Sequence, residues 1–363
     1  MPLNPAPNRQ PAATSLFWLF SPTVLGKPFI HPWIDYGIIA GGWSIVATFV
    51  FFSHPGLFQR IPPETLAILI LMVNSSHFAA STLRLYSKPD YAVRYSFLAY
   101  GFPLITILVL GICLLFPEAL GKHLQALYLT WSPFHYAAQT YGLAAMYCFR
   151  SGFRLNPGEK SLLWWACMLP FLRSFLGAAN SGLGWFIPRE SLYEFGMTPV
   201  ALNIITQGLL ALIFLAPVAF YIRMRSLKGT LPPMIVIVLL FANGLWWTAL
   251  DYLDAFVVAT IAHGLQYLAI MFVYHVQDRL NLPDNRRPAW MHALHFYGGC
   301  LLLGYGLFYC WPYAFVWAGA GLAESMLLVT ATINIHHFVV DRYIWRQPKT
   351  DHASPFSPTP QPA

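Results

Sequence analysis

Apolar segments of about 20 residues recur along almost the whole chain, and they constrain the fold more than any other feature. Each is long enough to cross a hydrocarbon core about 30 Å thick. Only 10% of the residues are charged, whereas soluble domains contain about 25%. The sequence therefore predicts an all-α, polytopic transmembrane helical bundle of about ten spans. The segments lie near residues 33–53, 64–87, 94–116, 122–149, 161–180, 199–222, 232–249, 250–277, 292–316 and 320–345.

The charges of the connecting loops set the orientation of these spans. With a cytoplasmic N-terminus, seventeen of the 21 lysines and arginines fall on the cytoplasmic side, and only Arg60, Lys122 and Arg189 fall outside. The remaining one, Arg173, lies within the fifth segment. Because basic residues concentrate in cytoplasmic loops, this split predicts ten spans with both termini cytoplasmic. The basic residues form no aromatic-interleaved patch, so the expected partner is the lipid bilayer and not a nucleic acid.

Polar, proline-rich sequence flanks the apolar region at both ends. We expect residues 1–32 to be a disordered N-terminal segment with an interfacial part, and residues 347–363 to be a disordered cytoplasmic tail. Residues 33–346 are then the transmembrane helical domain. The expected location is a bacterial inner membrane, as a multi-pass integral protein.

Five histidines lie inside four of the apolar segments. His77 is in the second, His135 in the fourth, His263 in the eighth, and His336 and His337 in the tenth. In the predicted topology these segments all run from the outside to the cytoplasm. At a rise of about 1.5 Å per residue, the histidines lie about 13–21 Å from the cytoplasmic ends. Ionisable side chains at such depth usually mark a functional site, so the sequence predicts a histidine layer in the cytoplasmic half of the bilayer.

Each of these helices also carries a polar residue about one turn from its histidine, on the same helical face. A metal-bound imidazole commonly donates its other N–H to such an acceptor. We therefore interpret the five histidines as candidate metal ligands. His295, which enters the same zone from the ninth segment, is a candidate outer ligand. The candidate supporting residues are Asn74, Gln139, Gln266, Tyr267 and Asp341, and Asp341 is expected to support His337.

The donor types indicate which metal to expect. The five cysteines lie in apolar runs with no close pair, so a thiolate zinc site or a disulfide framework is not predicted. Imidazole-rich sites suit iron, copper or zinc better than magnesium or calcium. Iron with open positions activates O₂, whereas zinc activates water. A site within the bilayer would reach a lipophilic small molecule, so we expect a membrane-embedded, metal-dependent oxidoreductase, with iron as the favoured metal.

Three other interpretations remain open at the level of sequence. Two histidines from facing helices could be the axial ligands of haem in an electron-transfer or assembly protein. The histidines could relay protons or pass a metal in a transporter. They could also only hydrogen-bond the helices of a scaffold to one another.

The C-terminal helix carries a resemblance to known proteins. Single histidines on parallel membrane helices, together with INIHHFVVDRYIW, resemble the polytopic non-haem iron oxygenases, in particular the bacterial Brp/Blh-like carotenoid-cleaving dioxygenases. In that family, histidines from separate membrane helices hold the iron. The segments HYAAQTYG, AHGLQYL and NIHHFVVD also resemble uncharacterised bacterial multi-pass proteins with an HHxxxD helix. The resemblance implies an iron-dependent membrane oxygenase and assigns no individual catalytic residue.

Overall fold

The computed structural model describes residues 22–87, 89–177 and 182–344, and within these ranges the chain is helical, without a β-strand. The tail predicted at residues 347–363 and residues 1–21 of the N-terminal segment lie outside the described residues. A helix, or a pair of helices bent by 43° in the case of α1, coincides with each of the ten apolar segments. We number them α1 (Pro32–Ile39 and Gly42–Ser53), α2 (Pro63–Ser87), α3 (Phe97–Leu115), α4 (Lys122–Arg150), α5 (Pro157–Gly177), α6 (Pro199–Lys228), α7 (Met234–Ala249), α8 (Tyr252–Leu280), α9 (Ala289–Trp317) and α10 (Leu322–Ile344).

Several of these helices have the length and composition of membrane spans. In the described ranges, α2, α3, α6, α8, α9 and α10 are each long and apolar enough to cross a bilayer, and α1 is a seventh if its bent pair is one span. The helix α7 has only 16 residues. The helix α4 contains Ser132, His135 and Thr140, and these polar residues lower its mean hydropathy. Their side chains are buried inside the bundle. The set of helices is compatible with an integral membrane protein.

The four helices that carry the predicted histidine layer pack in a closed ring. The helix α2 packs on α8, α8 on α4, α4 on α10, and α10 returns to α2. The remaining helices surround this ring. The helix α3 lies against α10, α9 lies against α2 and α8, and α5 and α7 lie against α4. Residues that are far apart in sequence therefore meet at the centre of one four-helix ring.

Polar contacts tie helix ends together at both ends of the bundle. Arg84 of α2 pairs with Asp278 of α8 at 3.2 Å, and Lys228 of α6 pairs with the buried Glu159 of α5 at 2.8 Å. At the other end, Arg173 donates to the carbonyl of Trp247 at 2.7 Å, so it caps the last turn of α7. Each contact joins ends that the loop charges assign to the same side of the membrane.

A π-helical stretch in α2, Ile70–Ser75, ends just before His77. Two glycines allow neighbouring helices to approach it. A Cβ at Gly264 of α8 would lie 2.8 Å from Val73 Cγ1, and a Cβ at Gly304 of α9 would lie 2.9 Å from the carbonyl oxygen of Ser75. Since real Cβ atoms do not come so close, only glycine allows this packing. The close approach fixes the height and rotation of His77 in the ring.

Candidate metal centre

Four of the five histidines of the predicted layer meet at the axis of the helix ring. The ring centres of His77 and His263 are 4.9 Å apart, and those of His263 and His135 are also 4.9 Å apart. The circuit closes through His337, which lies 5.2 Å from His135 and 4.8 Å from His77. All four side chains are buried. The imidazoles thus follow the same cyclic order as the helices that carry them.

Most nitrogens of this histidine ring have no hydrogen-bond partner. Both ring nitrogens of His77 and of His263, and Nε2 of His135 and of His337, are buried without a partner among the residues described. Buried polar atoms are nearly always hydrogen-bonded. Six such nitrogens in one place are therefore costly, and a bound metal ion would lower this cost by accepting one lone pair from an imidazole. They are a donor set that suits a metal ion.

The tautomer of His337 follows from its contact with Ser81 of α2. The Ser81 hydroxyl donates to the Phe78 carbonyl at 2.8 Å, and the same oxygen lies 2.8 Å from His337 Nδ1. Because the hydroxyl proton is already used, Nδ1–H of His337 donates to Ser81. The lone pair of His337 is then on Nε2, as metal ligation requires. This hydrogen bond comes from a serine on another helix, in addition to the support expected from Asp341.

Asp341 lies beside His135. Its Oδ1 accepts a hydrogen bond from the Tyr267 hydroxyl at 2.8 Å, and its Oδ2 lies 3.9 Å from His135 Nε2. The carboxylate is buried, where an isolated charge would be unfavourable. The Tyr267 hydroxyl orients this carboxylate at the edge of the histidine ring.

Two groups of these residues could hold a metal ion. One is His77, His263 and His337, the other is His135, His337 and Asp341, and in each group the ligand atoms lie within 4.8 Å of one another. His337 belongs to both, and only its Nε2 is available. The two groups therefore share one ligand atom, so a single ion would occupy one group or the other.

The spacing of the imidazoles fits a single ion. Metal–nitrogen bonds of about 2.0–2.1 Å, with bond angles of about 90–109°, put the centres of two ligating rings about 4.5–5.2 Å apart. The four neighbouring separations in the histidine ring, 4.8–5.2 Å, lie in this range. The group with two histidines and one carboxylate is the donor set typical of non-haem iron(II).

Two of the predicted supporting residues, Gln139 and Gln266, hydrogen-bond one helix to another and do not bond the imidazoles. Gln139 of α4 donates to Gln266 Oε1 at 3.0 Å and to the carbonyl of His263 at 3.3 Å. These bonds hold the backbone of α8 against α4 at the level of the centre. The third amide, Asn74, is buried and lines a cavity beside the centre.

The structure does not bring His336 or His295 to the histidine ring. His336 stacks on Phe102 with ring centres 5.4 Å apart, since consecutive residues on a helix point about 100° apart and His337 faces inward. His295 is exposed, and its Nδ1–H donates to the Met291 carbonyl at 2.7 Å. Neither residue is part of a group that could hold a metal in the described chain.

A cavity of about 260 Å³ adjoins the centre. Asn74 and Thr260, one turn before His77 and His263, contribute polar groups to its wall. Most of the rest is apolar, so the cavity suits a lipophilic group with few polar atoms. Other lining residues are Tyr128, Phe256, Phe308 and Thr330.

Two contacts near the centre escaped the sequence interpretation. Ser81 shares a helical face with His77, but it bonds His337 on another helix. Tyr136 packs its ring 4.7 Å from that of His263, and its hydroxyl shares a 2.8 Å hydrogen bond with Thr260. The sequence signal for both contacts was a polar residue at a buried position of a helix. The partner of such a residue could not be predicted, because it depends on how the helices pack.

Comparisons with protein-family models, with curated proteins and with solved structures find no match to this chain. The likeness of INIHHFVVDRYIW to membrane carotenoid-cleaving dioxygenases stays a prediction.

Proposed function

We propose that this protein is a membrane-embedded, non-haem iron oxidoreductase that acts on a lipophilic small molecule. The observation that carries the proposal is the ring of His77, His263, His135 and His337, in which six buried nitrogens lack a hydrogen-bond partner among the described residues. Asp341 beside this ring adds the carboxylate that makes iron(II) the favoured metal.

The residues around the ring have separable tasks in this proposal. His337 would hold the ion together with either His77 and His263 or His135 and Asp341, and three protein ligands leave coordination positions at which bound iron would supply O₂ activation. Ser81 keeps the lone pair of His337 on Nε2. The Tyr267 hydroxyl orients Asp341. The adjoining cavity would bind the apolar part of the substrate.

A haem is disfavoured by the contacts within the histidine ring. Two axial histidines must lie on opposite faces of a flat porphyrin. Neighbouring imidazoles here contact each other edge to face, with interplanar angles of 70–90°. We therefore prefer a metal ion alone.

Two experiments test the alternative functions. A Soret band in the purified protein would identify haem. Substrate uptake by metal-free protein in liposomes would favour a transporter.

Metal analysis of the full chain purified in mild detergent tests the proposal. We expect about one iron per chain and loss of most of it in His337→Ala, because His337 belongs to both ligand groups. The matched control is His336→Ala, which removes an identical side chain one residue away, from the face against Phe102. Iron should be retained in that variant.

Two results would overturn the metal centre. One is a wild-type protein with less than about 0.2 iron, copper or zinc per chain after purification without chelators. The other is equal metal content in His336→Ala and His337→Ala. The oxygenase step has its own test: membranes with the wild-type chain, but not with His337→Ala, should incorporate label from ¹⁸O₂ into an extractable lipophilic product.

We also propose that the chain crosses a bacterial inner membrane ten times, with both termini cytoplasmic. The loop charges support this topology, as do the ion pairs at one end of the bundle. Reporter fusions test it. Alkaline phosphatase should be active when fused at Gly196 or Gly319, and a fluorescent protein should fold when fused at Gly152 or Gly229. Phosphatase activity at Gly152 and Gly229 would contradict it.

A further inference from the structure

A second cavity, of about 730 Å³, lies at the ends of α2 and α8 and the start of α9. The residues that line it include three arginines, Arg279, Arg286 and Arg287, and one acidic residue, Asp284. This excess of positive charge is concentrated in a concave site, where it attracts anions more strongly than the same charges on a flat surface.

The arginines of this cavity are not used by the fold. Arg84 nearby is held by Asp278 at 3.2 Å, but Arg279, Arg286 and Arg287 form no side-chain ion pair or hydrogen bond with the part of the chain that the structure describes. Guanidinium groups present planar pairs of N–H donors that match the oxygens of phosphate. Three of them around one cavity favour a phosphate group as ligand.

Local hydrogen bonds hold this basic loop in shape. Asn285 Oδ1 accepts from the backbone N–H of Arg287 at 3.0 Å, and its Nδ2 donates to the Arg287 carbonyl at 3.1 Å. The same Oδ1 lies 2.8 Å from His292 Nε2. Because the oxygen accepts in both bonds, His292 donates and links the loop to the first turn of α9. The arginine-bearing segment is therefore ordered before any ligand binds.

The rest of the cavity wall is apolar. Leu83, Leu282 and Phe296 line it, and His275 stacks on Phe296 with ring centres 4.2 Å apart. Trp290, in the first turn of α9, is 63% exposed, as is typical of tryptophans at the membrane–water interface. A ligand with a phosphate head and an apolar body would satisfy both parts of the wall.

We propose that this basic cavity binds a phosphate group presented at the cytoplasmic surface of the membrane. The phosphate could belong to an anionic phospholipid or to a free phosphate-containing molecule, and both would contact the same three arginines. The site is separate from the histidine ring, and its occupation does not depend on a bound metal.

Binding of defined lipids to the purified full chain tests this proposal. We expect phosphatidylglycerol to bind more tightly than phosphatidylcholine, and Arg286→Gln/Arg287→Gln to weaken phosphatidylglycerol binding by about tenfold or more. The control is Arg223→Gln/Arg225→Gln, which removes two exposed charges at the end of α6, on the same proposed side. That variant should change the affinity by less than about twofold.

Competition with inorganic phosphate distinguishes an anionic phospholipid from a free phosphate-containing molecule as the ligand. If inorganic phosphate displaces phosphatidylglycerol from the wild-type chain at millimolar concentration, the cavity recognises the phosphate alone and a free ligand is supported. If it does not, the lipid is the ligand. Equal affinity for the two lipids, or equal weakening by the two double variants, would overturn the proposal. Arg279→Gln replaces the Arg286/Arg287 variant if the latter does not give a monodisperse protein.

Discussion

His336 and His337 are neighbours in sequence but have different surroundings. His337 is buried among three other histidines and donates to Ser81, while His336 is half-buried against Phe102. Helical geometry predicted that the two could not face the same point. The sequence favoured His337 because Asp341 lies one turn away from it on the same face, although the direction that each histidine faces depends on the rotation of α10 against α2 and α3.

Ser81 is the residue whose role is easiest to isolate. In Ser81→Ala, His337 Nδ1–H loses its acceptor, so the tautomer with the lone pair on Nε2 is less favoured. Loss of such a supporting bond typically weakens metal binding by about 10–100-fold. We expect iron to be removed from Ser81→Ala at a correspondingly lower chelator concentration than from the wild type, as followed by metal analysis after chelator titration.

The control for this prediction is Ser76→Ala. Ser76 is buried on the same helix, but its hydroxyl donates only to the Leu71 carbonyl, at 2.9 Å. Its removal should leave the chelator midpoint near the wild-type value. Equal midpoints for Ser81→Ala and the wild type would contradict the role given to Ser81.

At the level of helices, the sequence predicted the positions of all ten helical segments well, but not their internal irregularities. Apolar runs bounded by polar loops mark helices strongly. The π-helical stretch Ile70–Ser75 has no comparable signal, since it depends on how closely Gly264 and Gly304 let α8 and α9 approach. Asn74, expected to support His77, lies at the wall of the neighbouring cavity.

Gly304→Ala tests the importance of this approach. The added Cβ would lie 2.9 Å from both the carbonyl carbon and the carbonyl oxygen of Ser75, so α9 or the π-helical stretch must move. Overpacking of this kind destabilises by about 1–3 kcal/mol, more than the helix propensity gained by alanine. We expect a lower melting temperature in detergent and a lower iron content, because Ser75 is two residues from His77.

Gly298→Ala is the matched control on the same helix. A Cβ there meets no atom within 4 Å, so the alanine should be neutral or slightly stabilising. If Gly304→Ala also keeps the wild-type melting temperature and iron content, the close approach of α9 does not position the centre.

At the scale of the whole molecule, the closed ring of helices could be predicted only in part from the sequence. A shared depth for His77, His135, His263 and His337 could be predicted from span lengths and loop charges. The cyclic order α2, α8, α4, α10 could not, because it results from packing between segments up to 256 residues apart, as in the contact of Ser81 with His337. The cross-helix partners of each histidine followed from that order.

This arrangement predicts that metal binding stabilises the entire bundle. An ion held by His77, His263 and His337 would join three helices from distant parts of the chain, and a ligand present at about 100 times its dissociation constant contributes about 2.7 kcal/mol. At roughly 1–2 °C for each kcal/mol in a chain of this length, removal of the metal should lower the melting temperature in detergent by about 3–5 °C. Readdition of iron(II) should restore it. Metal removal by a chelator should lower the melting temperature of His336→Ala by the same amount. It should leave that of His337→Ala nearly unchanged, because this variant has already lost most of its metal. A wild-type chain that loses its metal without any change in melting temperature would show that the four helices hold their ring without the ion.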